Sequence, residues 1–508
     1  MKNNIYVLIS VFNKKGVVEL AKKFVEKNIQ IISTGGTAKE LQQHGIKIIP
    51  IEKITNSPES FDGRMKTISF HIASGILFDR KNDQHQKEAI QLKIPHIDFV
   101  VCNFYDFWEK PGIEMIDVGG PTMVRAAAKN YQNVTVITDP NDYPEIINQL
   151  EKTSAVAETT RKQLAAKAFA YVAEYDNLIA NYFQKQTGGI DKFISLRNGT
   201  KLRYGENPHQ EGRFFKDPPG DKLGLGTFKS VQGKETSYNN YLDLDAGLQT
   251  ISLIGTERPA CVILKHTNPC GASTADSIID AFKNAWYGGD PLAAFGGVIF
   301  INRPVSKELA EEMLADKKFF EILAAPSFTT EALEVFAQKP KLQLLENKNL
   351  GKPFLTAYKE IKKIRGGTLM QDTDIYQLTD ANLKCVTKKK PTDQELKDLI
   401  FAWKIAQVSK SNCVVTVKDG ILLASGVGQQ DRKRCCELCV SKANQPLTGA
   451  VAATDGFFPF RDGPDVLIKA GIKAIIQPGG SIRDQDTIDA CNENGVTMIM
   501  TGVRAFKH

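Results

Sequence analysis

Residues 5–11 read IYVLISV, an apolar run rich in β-branched residues and the first of several strand-sized runs near the amino terminus. The other predicted strands are IQIIST (29–34), IKIIPI (46–51), DFVVCNF (98–104) and VTVITD (134–139), with predicted helices over 17–26, 37–43 and 122–129. Strands that are apolar throughout and alternate with helices are typical of a parallel sheet covered on both faces. The sequence therefore predicts an α/β fold that begins with a doubly wound parallel sheet.

Three polar or glycine-rich turns accompany these predicted strands, at residues 10–14, 33–37 and 117–121. In open α/β sheets, loops at the carboxyl ends of the strands line the ligand crevice. A helix that begins after Gly35-Gly36 offers free backbone N–H groups, so residues 34–37 are a candidate phosphate cradle. An ordinary tight turn with a helix cap is an equally simple interpretation of each turn taken alone.

The pattern becomes helical from residue 154 to residue 186 and is broken by Thr187-Gly188-Gly189. This break predicts a first domain over residues 1–188 and a second over 189–508. The polar run 388–392 divides the second domain into subdomains of about 196–385 and 391–508. No sequence repeat relates these two pieces by eye.

The chain has 508 residues, of which 42% are hydrophobic and 24% charged, and its formal net charge is +7. This composition excludes disorder and fibres and suits a globular protein of about three domains. The mild basic excess contains no Lys/Arg block long enough for a polynucleotide groove, so anionic small molecules are the expected partners. The apolar runs are too short for a membrane span, and residues 5–12 do not resemble a signal peptide, so we expect a cytoplasmic protein.

Nine cysteines are scattered along the chain, except for Cys435, Cys436 and Cys439. This usage fits reduced thiols in a reducing compartment. Metal ligation by the cluster is an alternative, but neither a histidine nor a fourth cysteine stands at zinc-finger spacing. We expect helix-borne thiols near a site.

Common nucleotide motifs are absent: there is no Walker A sequence, and GVGQQD (426–431) starts like a dinucleotide loop but ends in aspartate. ATP and NAD use are therefore unsupported. Among seven histidines, His209 and His266 lie in the polar, Gly/Pro-punctuated strings RYGENPHQ and LKHTNPCGAS. The second string places the Lys265 ammonium and the His266 imidazole at a strand end, where they are candidates for proton transfer. A solvated Lys-His pair is the simpler alternative.

His209-Gln210-Glu211 and Pro269-Cys270 also resemble half of the zinc deaminase signature. The position that should hold the completing cysteine is Ser273. Without that thiolate the zinc site lacks a ligand, so this sequence argues against deaminase chemistry.

Ten strings, in one order along nearly the whole chain, carry a specific family resemblance. They are GRMKT (63–67), IDVGGP…RAAAKN (116–130), RYGENPHQ (203–210), KHTNPCG (265–271), DPLAAFGG (290–297), SKSN (409–412), GVGQQDR (426–432), DGFFPFRDG (455–463), PGGSIRD (478–484) and GVRAFKH (502–508). They resemble the bifunctional purine biosynthesis enzymes that combine 5-aminoimidazole-4-carboxamide ribonucleotide formyltransferase with IMP cyclohydrolase. The resemblance implies a methylglyoxal-synthase-like cyclohydrolase domain followed by a transferase of two cytidine-deaminase-like subdomains without zinc.

In the transferase half, the resemblance implies that His266 takes the proton of the substrate amine. Lys265 would protonate the departing folate nitrogen or stabilise the oxyanion, and Asn412 would orient the formyl group and the histidine. Implied nucleotide-binding residues are Arg203, Tyr204, Phe457 and Arg504, with Asp462 at the folate. The co-substrate would be 10-formyltetrahydrofolate, no metal would be needed, and the site would span the interface of a homodimer.

In the cyclohydrolase half, the catalytic residues implied by the resemblance are Lys66, Tyr105, Asp117 and Lys129. The implied nucleotide- or phosphate-binding residues are Ser10, Lys14, Thr34, Gly36, Thr37, Arg64 and Thr67. One segment departs from the family. Where the family commonly reads K-T-L-H-P-x-x-H-x-G-I-L, residues 66–77 read KTISFHIASGIL and lack both usual histidines, and Asn13 replaces an acidic residue. We expect cyclohydrolase activity to be altered rather than lost.

The function implied by the resemblance is formyl transfer followed by ring closure to IMP, the last two steps of de novo IMP synthesis. One alternative is a monofunctional formyltransferase whose divergent amino-terminal domain only binds nucleotide. Another is a nucleotide-sensing protein without turnover, which the presence of Lys265, His266 and Asn412 disfavours.

Overall fold

The computed structural model describes residues 5–61, 63–189, 191, 193–196, 199–217 and 220–508. The chain divides into two compact units, Met1–Arg197 and Asn198–His508. Each unit has its own hydrophobic core: one cluster lies in the first unit and three in the second. Within the described ranges, no helix is long and apolar enough to cross a membrane.

The first unit is built on a five-stranded sheet in which every neighbouring pair is parallel, in the order β3-β2-β1-β4-β5. Its described strands are β1 (Ile5–Val11), β2 (Gln30–Ser33), β3 (Ile49–Pro50), β4 (His96–Asn103) and β5 (Thr135–Ile137). Its described helices are α1 (Val17–Glu26), α2 (Gly35–Gln43), α3 (Glu52–Thr55), α4 (Phe70–Leu77), α5 (Asp83–Gln91), α6 (Gly119–Lys129), α7 (Tyr143–Thr153) and α8 (Glu158–Thr187). The predicted parallel α/β fold is confirmed.

The core of this sheet explains why its strands are apolar throughout. Val7, Leu8 and Ile9 on β1 are fully buried, although successive side chains point to opposite faces of the sheet. The strand order proceeds from β1 to β3 in one direction and then returns through β4 to β5 in the other. Right-handed crossovers in both directions place helices on both faces, and the reversal between β1 and β4 is where a ligand crevice is expected.

The second unit is built on a twelve-stranded mixed sheet, in the order β16-β21-β20-β19-β17-β18-β10-β9-β11-β12-β13-β8. The described strands of this sheet are β8 (Lys229–Gln232), β9 (Ala260–Lys265), β10 (Asn268–Thr274), β11 (Gly297–Ile301), β12 (Phe320–Ala325), β13 (Gln343–Glu346), β16 (Lys384–Cys385), β17 (Val414–Lys418), β18 (Ile421–Gly426), β19 (Val451–Thr454), β20 (Ala474–Gln477) and β21 (Thr497–Met500). Two small two-stranded sheets are β6 (Thr200–Lys201) with β7 (Arg213–Phe214), and β14 (Lys359–Ile364) with β15 (Gly367–Asp372). The described helices are α9 (Tyr238–Ile254), α10 (Ile278–Gly288), α11 (Pro291–Ala294), α12 (Lys307–Leu314), α13 (Thr330–Phe336), α14 (Asp393–Val408), α15 (Arg432–Lys442), α16 (Asp462–Lys469) and α17 (Asp484–Glu493).

The long sheet consists of two halves with the same topology, although the sequence shows no repeat. In the first half, the order is β10-β9-β11-β12-β13-β8, and the pairs β11-β12 and β12-β13 are parallel while the other three are antiparallel. In the second half, the order is β18-β17-β19-β20-β21-β16, with the parallel and antiparallel pairs at the same places. The hairpins are β9-β10 and β17-β18, and β10 pairs with β18 antiparallel where the halves meet. The second unit is therefore an internal duplication of one α/β topology.

The closing strand β16 falls in the first of the two subdomains expected from the sequence, but it pairs with β21 of the second half-sheet. The polar run after it connects β16 to α14. Thr392 ends that run as the cap of α14, since its hydroxyl accepts the Glu395 N–H at 3.1 Å. Because they pair with β21, residues 384–385 belong to the second half of the sheet.

Candidate functional site

A cavity of about 500 Å³ in the first unit lies at the carboxyl ends of β1, β2 and β4 and at the start of α6. This is the crevice that the reversal of strand order predicts. The cavity brings together ten of the eleven residues expected in the cyclohydrolase half: Ser10, Lys14, Thr34, Gly36, Thr37, Arg64, Lys66, Thr67, Tyr105 and Asp117.

One wall of the cavity has the chemistry of a phosphate site. Helix α2 begins at Gly35, and Thr34 before it is buried, with a hydroxyl that makes no hydrogen bond in the described part of the chain. The Lys66 Nζ lies 3.7 Å from the point where a Cβ on Gly35 would stand, and the Lys14 Nζ lies 3.8 Å from that point on Gly36. A helix N-terminus, two ammonium groups and an unpartnered hydroxyl are what a phosphate requires.

Two polar side chains hold the loop after β1 in place. The Thr37 hydroxyl accepts the Val11 N–H and donates to the Val11 carbonyl, each at 3.0 Å. The Asn103 side chain accepts the N–H groups of Phe12 and Asn13 at 2.7 and 2.8 Å and donates to the Asn13 carbonyl at 3.1 Å. Sequence analysis missed Asn103, although a polar residue ending an apolar strand is the signal that could have found it.

Asp117 lines the same cavity, just before α6. Its Oδ1 accepts the Gly120 N–H at 2.8 Å, and its own N–H donates to the Tyr175 hydroxyl at 2.8 Å. Desolvation raises the pKa of the Asp117 carboxyl, and the Gly120 hydrogen bond opposes that rise. A carboxyl with a raised pKa in a cleft is suited to proton transfer.

Gly119, the first residue of α6, allows Thr67 to approach the cavity. A Cβ on Gly119 would stand 2.3 Å from the Thr67 hydroxyl, well inside contact distance. Gly119 of the string IDVGGP therefore has a steric role, because it lets the loop that carries Lys66 and Thr67 close against α6.

Two of the cations at the cavity, Lys66 and Arg64, have acidic partners. Lys66 pairs with Glu59 at 2.8 Å, and Arg64 pairs with Glu114. All four side chains are at least partly exposed, so these pairs are weak and can exchange for an anionic ligand.

Lys129 is the expected site residue that this cavity does not contain. It is in the last turn of the eleven-residue helix α6, whose first residues border the cavity, so the helix separates it from Asp117 by about 15 Å. Lys129 lines a separate, open depression with Arg125, Lys162 and Phe169.

The segment that departs from the family has its own structural role. Ser69 caps α4, since its hydroxyl accepts the His71 N–H at 3.2 Å. Residues 68–77 do not line the cavity, whereas Lys66 and Thr67 do. The departure therefore falls beside the site and leaves the two preceding residues in it.

In the second unit, Lys265 and His266 stand at the end of β9. The Lys265 ammonium donates to the carbonyls of Phe295 and Gly296 at 3.1 and 3.0 Å, which come from the DPLAAFGG string. Gly296 has φ +72°, and a Cβ there would lie 3.0 Å from the Lys265 Nζ, so glycine is needed for this approach.

Asn412 precedes β17 in the other half of the sheet, and a buried ion pair fixes its side chain. The Arg432 guanidinium donates to the Asn412 Oδ1 at 2.6 Å and also binds the fully buried Asp455 carboxylate. Because Arg432 takes the amide oxygen, the Asn412 NH₂ group is the part left to contact another acceptor. Sequence analysis did not single out Arg432, although it ends the GVGQQDR string.

The remaining expected transferase residues lie in connecting segments of the second unit or, for Asp462, at the start of a helix. Arg203 and Tyr204 are in the connection between β6 and β7, with the guanidinium 5.5 Å from the ring centre. Phe457 is exposed after β19, and Asp462 begins α16. The Arg504 guanidinium lies 4.4 Å from the Phe506 ring centre, near the carboxyl terminus.

The second unit has a cavity of about 500 Å³ too, but none of the expected residues lines it. Aromatic and aliphatic side chains such as Phe214, Leu248 and Phe354 dominate its wall. Cavity size therefore does not locate the chemistry of this unit, and the Lys265–His266 turn is the better guide.

The cysteine cluster lies on α15, as the sequence predicted, and is buried. Burial raises the pKa of the Cys435 thiol to about 12 and that of Cys439 to about 11. Both thiols are therefore protonated at neutral pH and pack as small apolar groups. Across the described ranges, no group of three or more His, Cys, Asp or Glu side chains is arranged to hold a metal ion.

Comparison with known proteins gives two family matches that together cover most of the chain. A family of MGS-like domains matches residues 16–132, and the AICARFT/IMPCHase bienzyme family matches residues 127–442. The chain is 42% identical over 517 residues to the bifunctional purine biosynthesis protein PurH of Anoxybacillus flavithermus. It is 43% identical over 517 residues to the PurH of Caldicellulosiruptor saccharolyticus, and each alignment covers 99% of both chains. One cavity contains ten of the eleven residues expected for the cyclohydrolase reaction, and the chain is 42–43% identical to these two proteins over nearly its full length. The chain therefore belongs to the AICARFT/IMPCHase bienzyme family.

Proposed function

We propose that this chain transfers a formyl group from 10-formyltetrahydrofolate to 5-aminoimidazole-4-carboxamide ribonucleotide and then closes the ring to IMP. The observation that carries the proposal is the cavity of the first unit. It contains both a phosphate cradle with an unpartnered buried hydroxyl and a carboxyl of raised pKa. The Lys265–His266 turn supplies proton-transfer groups for the other reaction.

In formyl transfer, the ring amine attacks the formyl carbon and a C–N bond forms. The amine is a weak nucleophile because its lone pair is conjugated with the carboxamide, so His266 removes its proton as the bond forms. The bond from the formyl carbon to the folate nitrogen then breaks, and Lys265 donates the proton which that nitrogen needs. The Asn412 NH₂ group donates to the formyl oxygen as negative charge develops there.

In ring closure, the carboxamide nitrogen attacks the formamide carbonyl carbon and water is lost. Lys66 stands beside the phosphate cradle and supplies positive charge for the phosphate or the polarised carbonyl. Asp117 accepts a proton from the attacking nitrogen, and the Tyr105 hydroxyl lines the same cavity. The former carbonyl oxygen takes up this proton and a second one from the formamide nitrogen, whose bond to the carbon becomes double as the oxygen leaves as water.

One assay separates this proposal from its alternatives. Both substrates are supplied, the folate and purine absorbances are followed separately, and the assay is repeated with a chelator. We expect turnover of folate and formation of IMP, both unaffected by the chelator. Folate turnover without IMP would select the monofunctional formyltransferase, and no turnover of either would select the nucleotide-sensing protein.

We also propose a homodimer, because Lys129 cannot reach Asp117 within one chain. A second copy offers a way to complete a site that needs both groups. The expected result is a dimer by light scattering, with an obligate interface of more than about 2,000 Å². A monomer that keeps full activity at nanomolar concentration would contradict this proposal.

A pH prediction follows from Asp117. As a proton acceptor it must be ionised, and because desolvation raises its pKa, it loses its charge at a higher pH than the same carboxyl in water. The ring-closure kcat/KM should therefore fall on acidification at a higher pH than an ordinary carboxyl would give. The measurement is a pH profile with supplied formylated nucleotide, beside Asp117→Asn. A variant profile with the same acidic limb would assign that limb to another group.

We propose a cytoplasmic location on the basis of the cysteines. All nine are free thiols, and eight of them are buried. Free thiols in this number suit a reducing compartment.

A further inference from the structure

The turn that carries the proposed general base has an unfavourable backbone conformation. His266 and Thr267, between β9 and β10, have φ values of 52° and 64°, in the left-handed region. Residues with a Cβ adopt this region at a cost in free energy, and a β-branched residue such as Thr267 does so rarely. Such a conformation persists when surrounding contacts determine it, and it is found most often at functional sites.

Two side chains hold this turn from opposite sides. The Asp243 Oδ1, on α9, accepts the Thr267 N–H at 2.6 Å. The Asn268 Nδ2 donates to the His266 carbonyl at 2.8 Å. Both hydrogen bonds fall on the single peptide group that joins His266 to Thr267, because Asp243 accepts from its N–H and Asn268 donates to its carbonyl.

The second of these side chains also crosses the junction between the two half-sheets. The Asn268 Oδ1 accepts the Lys410 N–H at 2.9 Å, two residues before Asn412. Nearby, the Ser425 hydroxyl donates to the Pro269 carbonyl at 3.3 Å across the β10-β18 pair. Asn268 thus connects the backbone of His266 to the segment that carries Asn412.

We infer that Asp243 and Asn268 are positioning residues for formyl transfer. They hold His266 and Thr267 in the left-handed conformation and set the imidazole relative to the Asn412 amide. Neither residue needs to contact substrate. The inference rests on the proposed transferase function, because it assigns a purpose to the placement of His266.

The test first removes the hydrogen bond between Asp243 and the Thr267 N–H, and then replaces Thr267 by glycine, which adopts the left-handed conformation without that bond. Asp243→Ala should lower the transferase kcat about 100-fold with little change in the nucleotide KM, since a small displacement of a catalytic group has an effect of this size. Asp243→Asn keeps an oxygen acceptor for the Thr267 N–H and should stay within about tenfold of wild type. Adding Thr267→Gly to Asp243→Ala should restore most of kcat, because glycine adopts the left-handed region without cost.

Three controls accompany these variants. Thr267→Gly alone tests the effect of losing that side chain, and the melting temperature reports folding. The rate of ring closure with supplied formylated nucleotide shows whether the first unit is still active. If Asp243→Ala does not fold, Asn268→Asp provides the second test: it keeps an acceptor for Lys410 but loses the donor to His266. This variant should also lower kcat more than it raises KM.

Three outcomes would overturn the inference. A double variant as slow as Asp243→Ala, or an Asp243→Asn as slow as Asp243→Ala, would mean that Asp243 does not act by holding the turn. In the Asn268→Asp test, an unchanged kcat would do the same. A wild-type protein without formyl transfer would instead refute the proposed function, so the two failures are distinguishable.

Discussion

His266→Ala is expected to lower the rate of formyl transfer by about 10² to 10⁴. The weakly nucleophilic amine must lose its proton as it attacks, and His266 is the proposed acceptor at the end of β9. Lys265 cannot replace it as the proton acceptor, because an ammonium has no lone pair. The measurement is the folate absorbance change under saturating substrates.

Ring closure provides the control in the same protein. The hydrophobic core of the first unit contains residues 7–175 only, and those of the second unit lie beyond residue 222, so a change at His266 leaves the first core intact. Closure of supplied formylated nucleotide should therefore proceed at the wild-type rate. An unchanged transfer rate would remove His266 from the mechanism.

Lys66→Ala should affect the two reactions in the opposite way to His266→Ala: ring closure should be slower and folate turnover unchanged. Lys66 is one of two ammonium groups at the start of α2, and its loss removes phosphate or carbonyl stabilisation of roughly 3 kcal/mol, or about 100-fold in rate. Its ion pair with Glu59 is partly exposed and contributes little to folding, so the variant should remain folded.

Lys15→Ala is the matched control for this variant. Lys15 is next to the cavity residue Lys14 after β1 and carries the same charge as Lys66, but it does not line the cavity. It should close the ring at nearly the wild-type rate. If Lys66→Ala also closes the ring normally, the protein does not use the family mechanism implied by the resemblance. Loss of both activities would indicate unfolding or coupling between the two sites.

The sequence alone determined the local features of this protein. Apolar runs such as residues 5–11 specified the buried strands, because side-chain burial on both faces of a parallel sheet leaves a continuous apolar pattern. Glycine-rich turns and the Lys265–His266 pair marked candidate loops, because loops at the carboxyl ends of strands line the ligand crevice in open α/β sheets. Ten strings in one order were sufficient to indicate the family.

Tertiary structure decided which distant residues meet. Asn103 reaches the loop after β1 across about 90 residues, and Asn268 reaches Lys410 across 142. The equal topology of the two half-sheets is likewise a property of strand pairing, which different apolar side chains can satisfy equally well. Lys129 and Asp117 stand close in sequence and yet lie at opposite ends of α6. Periodicity and motifs record neighbours along the chain, whereas a site is an arrangement of contacts between segments, and those contacts exist only after the sheet has formed.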